Sequence, residues 1–215
     1  MVKTVLYNHT NSYDTLNELT DTTKCIWICF HGLGYLSKYF KKYFINFPKD
    51  DHYFIIPQAP SKYYQGSDFK HVGASWLTRE NTMQEMDNVL NYLDKVITQE
   101  NIKGDPRIIL MGYSQGVSIA TRFMSQYFYN VKALIIQSGS LPQELNDNDG
   151  QHFETFCDRI IHISGTKDEY VNDKVIEREK ERIDTLFGTK CEKHRPDIKH
   201  VVHVELLQTI AKSLT

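Results

Sequence analysis

The sequence predicts an α/β domain, a mostly parallel central sheet with helices on both faces. Three observations carry this. Continuously apolar runs of strand length recur, such as Cys25-Ile26-Trp27-Ile28-Cys29-Phe30, and strands apolar on both sides are those buried within a parallel sheet. Between them lie charged stretches whose apolar residues recur at helical spacing. The two kinds alternate, as β-helix-β crossovers require.

In chain order, Val2 to Tyr7 offers an edge strand. Cys25 to Phe30 is the first buried strand, and Tyr53-Phe54-Ile55-Ile56, ended by Pro57, the second. From Glu80 to Glu100, Met83, Met86, Val89, Leu90, Leu93, Val96 and Ile97 define one helix face. Arg107-Ile108-Ile109-Leu110-Met111 is a strand, followed by a helix marked by Val117, Ala120, Phe123, Met124 and Tyr127. Lys132 to Gln137 and Arg159 to Ser164 are further buried strands. Asn146-Asp147-Asn148-Asp149-Gly150 reads as a polar surface loop. Val171, Val175, Ile176, Ile183 and Leu186 share a face of a charged helix. A short strand around Cys191 to His194 and a helix from about His203 to Leu214 follow. With no repeat and no linker, residues 1–215 are read as a single domain.

Composition narrows the function. A net charge of -2 and the lack of a long basic run argue against nucleic acid as a partner. The apolar runs are far shorter than a membrane span. The first nine residues lack the apolar core and cleavage site of a signal peptide, so a cytoplasmic location is expected. Cys25, Cys29, Cys157 and Cys191 form no C-x-x-C pair. Cys25 and Cys29 lie about 13 Å apart on one strand, too far to bridge. The cysteines read as free core thiols, and no His/Cys spacing suggests a metal site.

The chemistry is concentrated in Gly112-Tyr113-Ser114-Gln115-Gly116. A G-x-S-x-G between a strand and a helix is a nucleophile elbow: the serine occupies a strained turn, and the glycines stand where a Cβ has no room. This specifies an α/β-hydrolase fold, in which an acid follows the serine and a histidine comes last. Asp168, just past the strand ending at Ser164, has the place of the acid, although a turn or helix-cap role also suits it. Glu169 is the runner-up, and Asp173 falls inside a helix. His200, in the loop before the last helix, and His203, nearer its first turn, compete as base. The loop position favours His200, while His194 reads as a strand residue at the surface. His31-Gly32-Leu33-Gly34 ends the first buried strand, and its glycines let backbone amides turn inward. The N–H groups of Leu33 and Gln115 are the candidate oxyanion donors. His31 itself reads as a structural hydrogen-bonding residue.

These motifs, with Pro57-Gln58-Ala59-Pro60, Trp76, the loop Gly165-Thr166-Lys167-Asp168-Glu169-Tyr170-Val171, and His200 with Glu205 and Leu207, make the chain resemble the phospholipase/carboxylesterase family. That family includes acyl-protein thioesterases and small bacterial carboxylesterases. The resemblance covers roughly residues 25 to 214. It implies Ser114, Asp168 and His200 as a triad and Leu33 and Gln115 as oxyanion donors. Because the triad supplies both nucleophile and base and no ligand cluster is visible, no metal or organic cofactor is expected. The family's histidine is followed by Glu five places on and Leu seven places on, which decides for His200. Tyr35 stands where the family often has an acid, Val117 where it often has glycine, and Lys199 where a glycine commonly precedes the histidine. Tyr35 and Trp76 are expected at the substrate pocket, with the segment from Tyr63-Tyr64 to Trp76 as one wall. The expected function is a serine hydrolase acting on a small-molecule ester or thioester of short to medium acyl chain through an acyl-enzyme. Acyl-protein thioesterase or lysophospholipase activity is the alternative. A non-catalytic ligand-binding protein of this fold is a second class, against which the complete Ser/Asp/His set argues. The short chain leaves no room for a large lid domain, so a shallow, open site is expected.

Overall fold

The apolar runs become the sheet. The computed structural model describes every residue except Val2, Phe128, Tyr129, Val171 and Asn172, and gives backbone alone for residues 173–176. The first half holds β1 (Tyr13–Leu16), β2 (Cys25–Phe30), α1 (Ser37–Phe40), β3 (His52–Pro57), β4 (Ser61–Gln65), β5 (His71–Ser75) and α2 (Thr82–Gln99). The second holds β6 (Ile108–Tyr113), α3 (Gln115–Tyr127), β7 (Ala133–Gln137), α4 (Asp147–Phe156), β8 (Ile160–Ile163), α5 (Asp173–Phe187), β9 (Cys191–His194) and α6 (Val204–Leu214).

Among the described residues, seven strands form one sheet in the order β1-β3-β2-β6-β7-β8-β9. Only β1 is antiparallel, with Tyr13 opposite Pro57. The other neighbours are parallel, with Ile26 beside both Tyr53 and Ile108, and Ile136 beside both Gly112 and His162. The mostly parallel α/β-hydrolase sheet is therefore present. From β2 the chain passes to β3 on one side and later to β6 on the other. The crevice at this reversal opens at the C-terminal strand ends, beyond Phe30 and Tyr113.

The strands alternate between two cores. Ile26, Ile28 and Phe30 face α2 and α3, where Met86, Val89, Leu90, Leu93, Val96, Ile97, Phe123 and Met124 are buried. Trp27, Phe54, Met111 and Ile161 face the opposite layer, with Phe40, Phe44, Leu207, Ile210 and Leu214. The spacing of Leu207, Ile210, Ala211 and Leu214 is one helix stripe. Each large side chain so buried contributes roughly 1.5–3 kcal/mol. In α5, Ile183 and Leu186 are buried. Val171 lies outside the described residues, as do the side chains of Asp173, Val175 and Ile176.

Three expectations change. Residues 3–7 are exposed and form no strand, with Val2 outside the described residues. The edge strand is instead Tyr13–Leu16, where the side chains are half-buried against the sheet. Asn146-Asp147-Asn148-Asp149-Gly150 is the start of a helix. Asn146 accepts the Asn148 N–H, and Asp149 accepts the Asn146 N–H, in a capping arrangement that looks like loop composition when read alone. Finally, residues 61–75 form a β4–β5 hairpin separate from the main sheet, with Tyr63 opposite Gly73.

Candidate active site

The turn between β6 and α3 places Ser114 in left-handed backbone, φ 54°, where a non-glycine residue is strained. Two bonds hold it there: its N–H donates to the Gln137 carbonyl (2.9 Å), and its carbonyl accepts the Val117 N–H (3.0 Å). Gly116 is what lets α3 start so close to β2. A Cβ on it would meet the Phe30 carbonyl oxygen at 2.1 Å, well inside van der Waals contact.

The loops after β8 and β9 bring the other two groups in. His200 Nε2 lies 3.0 Å from Ser114 Oγ, and Nδ1 lies 2.8 Å from Asp168 Oδ2. The Asp168 side chain is fully buried, and its Oδ1 accepts the Tyr170 N–H (3.0 Å). An ionised carboxylate only accepts, so Nδ1 carries the imidazole proton and Nε2 is left to accept from the serine. Such a chain can take the proton from Oγ and return it to a leaving group.

The histidine loop is pinned from below. Tyr113 Oη donates to the His200 carbonyl (2.9 Å), and Gln137 Nε2 to the Val201 carbonyl (2.8 Å). Burial pushes the Tyr113 phenol up, so it remains a donor. Tyr170 covers the imidazole edge-on, ring centroids 4.7 Å apart. The runner-up acid, Glu169, accepts the His200 backbone N–H (3.3 Å) and does not meet the ring. His203 caps α6, with Nδ1 accepting the Leu206 N–H (3.5 Å). His194 is in β9, half-buried rather than at the surface.

The β2 loop folds over Ser114 from the other side. Gly34 takes φ 84° and donates to the Ala74 carbonyl (2.8 Å), while Tyr35 N–H reaches Gly32 (3.3 Å). Among the described residues no protein acceptor takes the N–H of Leu33 or of Gln115. Those two amides flank the serine and remain available to an oxygen. His31 braces the loop: Nε2 accepts the Ala59 N–H (3.2 Å) and Nδ1–H donates to the Gly32 carbonyl (2.8 Å). Burial lowers its pKa to about 4, keeping the ring neutral. The Gln115 side chain ties the elbow to the next loop, accepting the Trp76 N–H (2.9 Å) and donating to the Leu77 carbonyl (2.7 Å).

Ser114 opens into a cavity of about 830 Å³ that extends past the end of β7 to α5 and β9. Tyr35 lines it, its hydroxyl bonded to Tyr43 (2.9 Å). Trp76 does not. It is fully buried, its Nε1 donating to the His31 carbonyl (2.8 Å). The aromatic residue expected at the pocket wall therefore acts one layer behind it. Tyr63 and Tyr64 are exposed on the hairpin, away from this cavity. No sequence signal distinguishes Tyr113 and Gln137, which hold the histidine loop, from ordinary strand residues. Among the described residues, no group of three or more His, Cys, Asp or Glu side chains could hold a metal ion, and no helix is long and apolar enough to cross a membrane.

Residues 16–215 match the family model for phospholipase/carboxylesterase. No curated protein matches the chain. Among solved structures, acyl-protein thioesterase 2 of Zea mays superposes with a TM-score of 0.71 at 18% identity, covering 95% of this chain and 98% of that one. The carboxylesterase of Bacillus cereus gives 0.67 at 14%, covering 97% and 96%. A phospholipase/carboxylesterase from Dyadobacter fermentans gives 0.64 at 15%, covering 97% and 98%. At these identities the likeness is one of fold.

Proposed function

The chain belongs to the phospholipase/carboxylesterase family, and from that premise we propose that it is a serine hydrolase cleaving carboxylic esters or thioesters of short to medium acyl chain. Ser114 is the nucleophile, His200 the general base and then general acid, and Asp168 the group that holds the imidazole tautomer. Attack of Oγ on the substrate carbonyl passes its proton to Nε2, and the resulting oxyanion is met by the N–H groups of Leu33 and Gln115. Nε2 then protonates the departing alcohol or thiol. Water, deprotonated by the same nitrogen, releases the acid and restores Ser114.

The observation that carries this reading is the unbroken hydrogen-bond chain from Ser114 Oγ to His200 (3.0 Å) and on to Asp168 (2.8 Å), with the carboxylate buried. A fluorophosphonate probe tests it. Wild-type protein should be labelled at Ser114, and Ser114→Ala should be folded, unlabelled and slower on nitrophenyl esters by several orders of magnitude. Retention of more than about a tenth of the activity would refute the assignment, since members of a triad act as a unit. Oxygen esters and thioesters share every step, so matched nitrophenyl esters and acyl-thioesters of graded chain length decide between plain carboxylesterase and thioesterase activity.

A further inference from the structure

The far end of the cavity, beyond β7, has a different character from the region around Ser114. Ser138, directly after β7, is 7% exposed and takes φ 52°. The residue borders the cavity, but its Oγ is shut off from solvent and, among the described residues, has no hydrogen-bond partner. A buried hydroxyl left unpaired destabilises the fold, and such groups are rare without a role. Ser140 and Ser164 border the same space, and His162 of β8 forms part of its wall. Burial, and then the nearby charges of Lys193 and Arg195, push the His162 imidazole down to about 4, so it presents a neutral ring with one donor and one acceptor.

Three cations rim this end: Lys180 from α5, Lys193 from β9 and Arg195 just after it. Among the described residues, the ion pairs made by α5 and β9 are Arg178 with Glu179, Lys193 with Asp184, and Glu192 with Arg159. Lys180 and Arg195 enter none among the described residues. The one acid in the described lining, Glu179, is already engaged by the Leu141 N–H (3.0 Å) and by Arg178 (3.3 Å). Positive charge outside any ion pair therefore rims this end of the cavity that also holds Ser114.

We infer that this end of the cavity is a subsite for an anionic group, a carboxylate or phosphate, carried by the ester or thioester that Ser114 attacks. The inference rests on the hydrolase reading above and narrows its substrate class to esters with a charged arm. His162 offers the ring donor to the anion, while Lys180 and Arg195 supply the field that draws it in.

Two matched substrate pairs test it. Nitrophenyl hemiadipate against nitrophenyl hexanoate places the charge on the acyl side. 4-(Butanoyloxy)benzoate against its methyl ester places it on the alcohol side. Wild type should prefer the charged member of at least one pair by tenfold or more in kcat/KM. The double variant Lys180→Glu/Arg195→Glu should reduce that ratio at least tenfold, chiefly through KM, whereas Arg195→Lys should preserve it. Both side chains are exposed, and an unchanged thermal melt confirms that the variant is folded. A ratio near one in both pairs, or one unmoved by charge reversal, overturns the inference. If no ester is turned over, the hydrolase reading fails, and calorimetric titration of adipate and of inorganic phosphate into Ser114→Ala protein decides the subsite separately. Binding that disappears on charge reversal supports it, with the tighter ligand identifying carboxylate or phosphate, and no binding of either overturns it.

Discussion

Acidification should loosen the protein through His31. The ring is fully buried, accepts the Ala59 N–H and has its pKa lowered to about 4, whereas in the unfolded chain it titrates near about 6.5. Between those values the unfolded state binds a proton that the native state refuses. Stability is therefore complete above the unfolded pKa and is lost as pH falls through the window from about 6.5 to about 4. At about 1.4 kcal/mol per unit, the loss attributable to this ring reaches about 2.5 kcal/mol by pH ~4.5. Urea unfolding followed by tryptophan fluorescence, at pH ~7.5 and ~4.5, measures it in wild type and in His31→Gln. The variant should be less stable at neutral pH, because ring packing is lost. On acidification it should lose about 2.5 kcal/mol less than wild type, since the other lowered histidines, His52, His152 and His162, contribute equally to both. Equal losses in the two proteins would refute the reasoning.

Further outcomes follow from the same geometry. Asp168→Asn should fold normally by thermal melt yet lose on the order of 10³–10⁴ in kcat, because the amide neither fixes the imidazole tautomer nor stabilises its cation. His200→Ala should abolish ester turnover, while His203→Ala, which removes only a helix cap, should cost about 1 kcal/mol or less in unfolding free energy and change the rate less than about tenfold. The reverse order would give the base to His203. Gly116→Ala should be insoluble or lose more than about 3 kcal/mol in chemical denaturation, because its Cβ would collide with backbone, the carbonyls of Phe30 and His31. A normally stable, active variant would contradict the close packing of α3 on β2.

What could be read from the chain alone divides along physical lines. β2, β3, β6, β7 and β8 were legible because a strand buried on both sides must be apolar throughout. α2 and α6 were legible because each presents one stripe to a core. The elbow was legible because its backbone excludes side chains at Gly112 and Gly116. The expected partners, Asp168 and His200, stand at loop positions that the strand order brings to the same sheet edge. The hairpin escaped because every residue of β4 is exposed, leaving no buried face to create alternation. α4 escaped because asparagine and aspartate cap helices and populate loops equally well. Trp76 suits a pocket wall as well as a core, as aromatic residues do, and nothing in its neighbours reveals that Gln115 and His31 draw it inward. The recess around Ser138 and His162 depends on the gap between α5 and β9, which no local pattern encodes.

The β4–β5 hairpin has a consequence for how such a protein diversifies. It contributes no strand to the main sheet, and its residues 66–70 form an exposed tip. It grips the β2 loop through the Gly34 N–H on Ala74 and through Gln65 Nε2 on the Gly34 carbonyl (2.9 Å). Its trailing end is anchored by buried Trp76. Lengthening, shortening or recolouring the tip therefore leaves the register of the seven-stranded sheet untouched. Selection, or a library confined to those five positions, can explore new surfaces beside the β2 loop while the seven-stranded sheet and the proton-transfer chain stay the same.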